Sequence, residues 1–275
     1  MYSHEDIARL LLIVRALEAG FRPGEVVGLD PINLARLLDA TGADASSALL
    51  SLNASPSRTA AVAFATPDAI IDAVRADDIA GVRALLRASA IALGPRAFVT
   101  DLAHPLAVRV GELWADGIID VRHEHATTAC LTLQLHLLLG ALDGSEVRHP
   151  TVLLATLPGE PHLLGLEMVG VYLAASLAAP QLLGADTPPA QIVEAARASN
   201  VDVVGLTVTP AAERRAAARG IAAVAEGLPD GTELWLGGAG ARAVSSAAAT
   251  ARVVATWPEL DAALHAVRER RARTR

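Results

Sequence analysis

The stretch 158-PGEPHLLGLEM-168 follows the apolar run 151-TVLLATL-157 and places a carboxylate, an imidazole and a glycine at Glu160, His162 and Gly165. A carboxylate two residues before a histidine can take the proton of one ring nitrogen and leave the other as a lone-pair donor. That is how metal-ligating imidazoles are held. Gly165 removes a side chain where a bulky group would pass close to backbone, and 236-LGGAGA-241 opens a second bare surface after a later apolar run. One histidine and one carboxylate fall short of the three or four ligands of a zinc site. The Gly-rich element also stands too late in the chain for a dinucleotide fingerprint, and no acidic residue about 20 positions on caps a strand. What fits is a metal that arrives with most of its ligands attached and needs one from protein.

The elements that must position these residues follow from the pattern. From 151 onward apolar runs alternate with helical segments: strands at 151–157, 181–184, 201–209, 232–238 and 252–256, helices at 163–178, 188–199, 211–227, 240–249 and 258–271. That order predicts a doubly wound, Rossmann-like parallel sheet of five strands, which takes ligands beyond the carboxyl ends of its strands. Glu160, His162, Thr207 and the pair Gly237–Gly238 fall at such ends. Residues 67–142 predict four helices with short connections, a four-helix bundle, with Asp68 or Thr66 capping the first, Pro105 interrupting the third, and a long apolar fourth over 120–142. Residues 1–41 carry helical spacing, and 42–58 are small and polar. The expected domains are 1–55, a short helical remnant and linker; 56–148, the bundle; and 149–275, the sheet domain.

Composition narrows the chemistry. The 275 residues are 52% hydrophobic with a net charge of −7, and no lysine is present, so a lysine Schiff base and a Walker-type phosphate lysine are excluded. The acidic balance argues against direct DNA binding. The single Cys130, flanked by apolar residues, reads as core and excludes an internal disulfide framework. No uninterrupted apolar run reaches the roughly 20 residues of a membrane span, and the acidic start MYSHEDIARL lacks a basic leader region. The expectation is a cytoplasmic protein with no membrane contact.

The pattern Glu160-x-His162-x-x-Gly165, then Thr207-x-Thr209, then Gly237-Gly238 resembles the cobalamin-binding domain motif, Asp-x-His-x-x-Gly, Ser-x-Leu, Gly-Gly. The spacings, 45 residues from His162 to Thr207 and 30 more to Gly237, are close to that family's. The resemblance implies that His162 is the lower ligand of cobalt and that the displaced nucleotide tail enters the sheet between the Thr207 and Gly237–Gly238 loops. Glu160 for Asp and Thr209 for Leu are departures.

The segment 109-RVGELWADGIIDVRHEHATTACL-131 resembles the helical cap of the light-sensing MerR-type (CarH-like) repressors. There a Trp followed by Glu-His surrounds the 5′-deoxyadenosyl group, which assigns those roles to Trp114, Glu124 and His125. Ala115 stands where those repressors carry the histidine that captures cobalt after photolysis; His123 or His125 is a candidate substitute on that upper face. Residues 2–30 resemble the second half of a MerR-type winged helix. Residues 1–40 hold four arginines against six acids, which suits dimerisation or partner contact better than DNA.

These resemblances imply a non-enzymatic light sensor holding adenosylcobalamin, a homo-oligomer that signals to an unknown protein partner. Two alternatives stand beside it. One is a corrinoid methyl carrier of a methyltransferase system. The other, from stand-alone light-sensing relatives, is a dual sensor that also binds a bilin such as biliverdin.

Overall fold

The computed structural model describes residues 65–144 and 148–274. The MerR-like segment, its linker and the opening of the bundle domain lie outside the described residues. The described residues all belong to one compact unit.

Helix α1 (Pro67–Arg75) starts at Thr66, whose Oγ1 accepts from the Ala69 amide at 3.2 Å, with Pro67 in the first turn. Thr66 and not Asp68 is therefore the cap. Helix α2 (Ile79–Ala97) is capped by Asp78 and kinks at Gly94, whose φ of 74° is left-handed. A π-helical turn, Phe98–Ala103, then leads without a break into α3 (His104–Ala115). The expected interruption at Pro105 is absorbed in this way: proline offers no N–H and its ring crowds the carbonyl four residues back, and the wider turn before it removes that conflict. Helix α4 (Val121–Leu142) is the longest of the four. By length and composition α4 is apolar enough to cross a membrane. In this fold one side of it, including Thr127, Cys130, Leu131 and Leu135, is buried.

The sheet domain runs β1 (Thr151–Thr156), α5 (Leu164–Ala175), β2 (Ala179–Gly184), α6 (Pro189–Ala198), β3 (Val203–Thr207), α7 (Arg214–Gly227), β4 (Glu233–Gly237), α8 (Ala241–Val244), β5 (Arg252–Val253) and α9 (Trp257–Thr274). Its five strands are all parallel in the order β2-β1-β3-β4-β5. The protein is thus an α/β fold, a helical bundle followed by a doubly wound parallel sheet. Two elements are shorter than their apolar patterns suggest: β5 keeps only two residues, and the helix expected over 240–249 is α8 plus a 3₁₀ turn at Ser245–Ala247.

Strand alternation explains how the layers assemble. Val152, Leu154, Val203 and Trp235 face a core shared with α5, α9 and the bundle. Leu153, Val204, Leu234 and Leu236 face a second core against α6 and α7. Strands buried on both faces read as continuous apolar runs, which is why they are visible in the sequence. The bundle docks through α4 on α5, and at that seam Glu167 is buried, accepting from Thr132 Oγ1 at 2.9 Å and pairing with His136 Nε2 at 3.0 Å. A second tie joins α2, α5 and α9. Arg96 donates to Tyr172 Oη at 2.6 Å and pairs with Asp261, and Tyr172 Oη donates to Asp261 at 2.9 Å.

Because β1 and β3 are neighbours while their following helices lie on opposite faces, the crevice beyond their carboxyl ends is the topological switch point. Thr156 pairs with Thr207, and Thr207 with Gly237. Three strand ends therefore finish at one level.

Candidate functional site

Beyond β1 the chain turns sharply. The Glu160 amide donates to the Leu157 carbonyl at 3.1 Å, Thr156 Oγ1 donates to the Glu160 carbonyl at 2.5 Å, and Gly159 takes a φ of 85° between them. This turn sends the Glu160 side chain inward, where the residue is 3% exposed. Buried charge is tolerable only when fully hydrogen-bonded, and here it is. Oε1 faces His162 Nδ1 at 2.5 Å and the His162 amide at 3.3 Å; Oε2 accepts from the Thr209 amide at 2.9 Å and from Thr209 Oγ1 at 2.5 Å. Burial pushes the Glu160 carboxyl up, but the hydrogen bonds from Thr209 and His162 outweigh it and hold the group below its ordinary value.

An ionised Glu160 fixes the tautomer of His162. Nδ1 carries the proton and Nε2 the free lone pair, on a ring whose side chain is 59% exposed. The site is thus a rigid carboxylate–imidazole pair with one outward donor atom. Thr209, a departure from the motif in sequence terms, has a definite task here: the side chain of Glu160, one methylene longer than Asp, reaches Thr209, and a leucine there would offer no hydroxyl. The two departures are one arrangement. Among the described residues, no group of three or more His, Cys, Asp or Glu side chains could hold a bare ion.

Gly165, Thr207, Gly237 and Gly238 meet around a cavity of about 310 Å³ between the strand ends and α9. The glycines are there for different reasons. At Gly238, φ is +86° and a Cβ would sit 2.5 Å from the Val208 carbonyl oxygen, so the backbone itself demands glycine. At Gly165 an added Cβ would meet only the Thr207 methyl, at 4.0 Å. No protein atom forbids a side chain there, but a larger one would extend into the cavity. The far wall is Val254, Trp257, Pro258 and Leu260, with His104 entering from the bundle. Sequence reasoning missed this wall. Trp257 directly follows the apolar run 252–256, so the strand-end rule pointed at it; His104 carried no local signal.

An outward imidazole donor beside an apolar, glycine-walled slot suits a metal complex bearing its own tail. Residues 150–267 match the B12 binding domain family, and residues 67–138 match a second family model, also described as a B12 binding domain. Together they span more than half of the chain. These two stretches of the chain are B12-binding domains. It is 27% identical over 241 residues to the HTH-type transcriptional repressor CarH of Myxococcus xanthus, covering 88% of this chain and 77% of that one. Among solved structures, it is similar to the monomethylamine corrinoid protein of Methanosarcina barkeri. That match has a TM-score of 0.56 and 19% identity, over 72% of this chain and 96% of the other. It is a likeness of fold.

The cofactor of this B12-binding protein is a cobalamin, and the residues fit it. His162 Nε2 would hold cobalt from below, and the cavity walled by Gly165, Thr207 and Gly237–Gly238 would take the tail. On the bundle side, Trp114 closes α3 and is 51% exposed. Glu124 Oε1 accepts from Thr128 Oγ1 at 2.8 Å, and its Oε2 lies 2.5 Å from Nδ1 of the exposed His125. No hydrogen bond or ring contact joins Trp114 to Glu124 or His125 among the described residues. His123, the candidate for the upper face, takes part in a helix start. It is buried at the start of α4, its Nδ1 accepts from the Asp120 amide at 3.1 Å, and its Nε2 lies 3.3 Å from Asp77 Oδ1. It completes a capping box with Asp120. Only Nδ1 is engaged in that cap; Nε2 is buried and has no hydrogen-bond partner among the described residues. Cys130 is a free, buried thiol in the core.

Proposed function

We propose that the protein is a non-enzymatic light sensor: a cytoplasmic homo-oligomer that holds adenosylcobalamin between bundle and sheet domain and signals by protein–protein contact. The observation that carries the cobalamin part is the His162 lone pair set outward by buried Glu160. The regulatory part is supported by the similarity to the repressor and by the exposed Trp114 and His125 with the half-buried Glu124 on the bundle.

When bound, adenosylcobalamin supplies a cobalt–carbon bond that light breaks. The protein's own residues do the rest. Glu160 keeps the proton on Nδ1 of His162, so Nε2 stays a donor. Trp114 covers the adenosyl group, adds stacking area and excludes water, while Glu124 accepts from ribose hydroxyls. Without the adenosyl group Trp114, Glu124 and His125 would lack their partner, and the bundle would then repack against α5, a two-state change biased by light.

The test is reconstitution in the dark with adenosylcobalamin, then illumination while absorbance and mass are recorded. The expected result is a spectral change with a change in assembly; neither changing overturns the sensor. The fold likeness to a corrinoid protein favours a second reading, a methyl carrier, for which tighter binding of methylcobalamin than of adenosylcobalamin is the signature. The bilin gains no support from the geometry.

A further inference from the structure

The tail cavity is built by two parts of the chain, and only one of them is the sheet domain. His104, the first residue of α3, lines it from the bundle. Its ring stands edge-on to Trp257, with centroids 5.7 Å apart and planes at 90°. Trp257 is held from behind, stacked on Tyr172 at 4.8 Å, and Tyr172 carries Arg96 over its ring at 4.7 Å. His104 therefore rests on a fixed wall. The lining holds no carboxylate, guanidinium or amide side chain, and its hydroxyls come from Thr207 and Thr256. Thr207 turns its methyl toward Gly165 and Gly238, and Thr256 Oγ1 accepts from the Glu259 amide while keeping its own proton to donate. His104 is itself exposed, and neither of its ring nitrogens has a hydrogen-bond partner among the described residues.

This inference rests on the cobalamin reading. Once His162 takes the lower position on cobalt, the benzimidazole base of the tail keeps a ring nitrogen whose lone pair has lost its metal. Inside an apolar cavity such an acceptor is costly unless a donor meets it. We propose that His104 donates to this nitrogen, so that the helical bundle takes part in selecting the lower base of the corrinoid. A cavity near the lower end of small-molecule pockets, roughly 300–1,000 Å³, suits one bicyclic base.

The test is equilibrium binding, read by absorbance titration, of three corrinoids to the full chain. These are cobalamin, cobinamide, which lacks the nucleotide tail, and a cobamide with a phenolic lower base, which has no ring nitrogen. His104→Phe keeps the edge contact with Trp257 and removes the donor; His104→Gln restores a donor. The expected result is that His104→Phe weakens cobalamin about tenfold and leaves the other two unchanged, and that His104→Gln recovers part of the loss. Equal weakening of all three, or no weakening of cobalamin, overturns the proposal. Wild-type protein that binds none of the three overturns the cobalamin reading and the proposal with it, and so is told apart from a failure of His104 alone.

Discussion

The two sides of the site are built on different plans. Below, Glu160 is buried and fully hydrogen-bonded, and His162 and Thr209 are locked to it before any ligand arrives. Above, Trp114 is 51% exposed, the His125 side chain is 74% exposed, and the hydrogen bonds at Glu124 come from its own helix. The lower side is preorganised and so would hold cobalt at little further loss of freedom. The upper side is completed only by what it covers. On the proposed function, a site arranged this way would grip one face of its ligand and respond through the other.

The comparison breaks first at His162. His162→Ala should lower cobalamin affinity by more than the roughly 100-fold that bounds the loss of a supporting residue, and abolish the spectrum of histidine-ligated cobalt; an unchanged spectrum would remove the ligand assignment. Glu160→Ala comes next, about 10- to 100-fold in affinity, because the imidazole loses both its orientation and its tautomer. Glu160→Gln sharpens the point through pH. The carboxyl is lowered from its ordinary 4.5, so its stabilising effect is complete above that value and fades as pH falls through the lower folded-state value. The melting-temperature gap between wild type and Glu160→Gln should be flat above pH 4.5 and close below it; a gap that widens with acid contradicts the assignment.

Thr209→Val removes one charge-assisted hydrogen bond but leaves the backbone amide in place. About a tenfold loss of affinity is expected, and no loss would mean that the amide alone holds Glu160. The smallest effect on affinity belongs to the upper side. Trp114→Ala should leave cobinamide binding intact and change the preference for adenosyl- over methylcobalamin by a few-fold, about 1 kcal/mol of stacking. A large loss for every corrinoid would mean that the upper side is preorganised after all.

What the sequence reveals follows the same division. The strands of the doubly buried sheet are legible because both faces demand apolar residues, and their ends locate Glu160, His162, Thr207 and Gly237. Local pattern does not reveal the π-helical turn before His104, which answers a steric conflict at Pro105. Nor does it reveal that β5 stops after Val253. Thr209 is visible only as a mismatch with the motif, since its partner Glu160 lies 49 positions away. The capping contact of His123 is not legible in sequence, because a histidine in a helical cap and one facing a ligand look alike until Asp120 and Asp77 are seen around it. Trp257 and His104 become a wall only when α9 and the bundle close on the same space.

The Glu167 seam has a consequence for how the two layers come apart. Thr132 and His136 are its hydrogen-bond partners, and both belong to α4. Any slide of α4 along α5 strips this anion of its donors at once, and only solvent can replace them. The layers therefore cannot glide dry over each other; they must stay in register or part far enough for water to flood the gap. A seam of that kind behaves as a latch, closed or wet, with little room between.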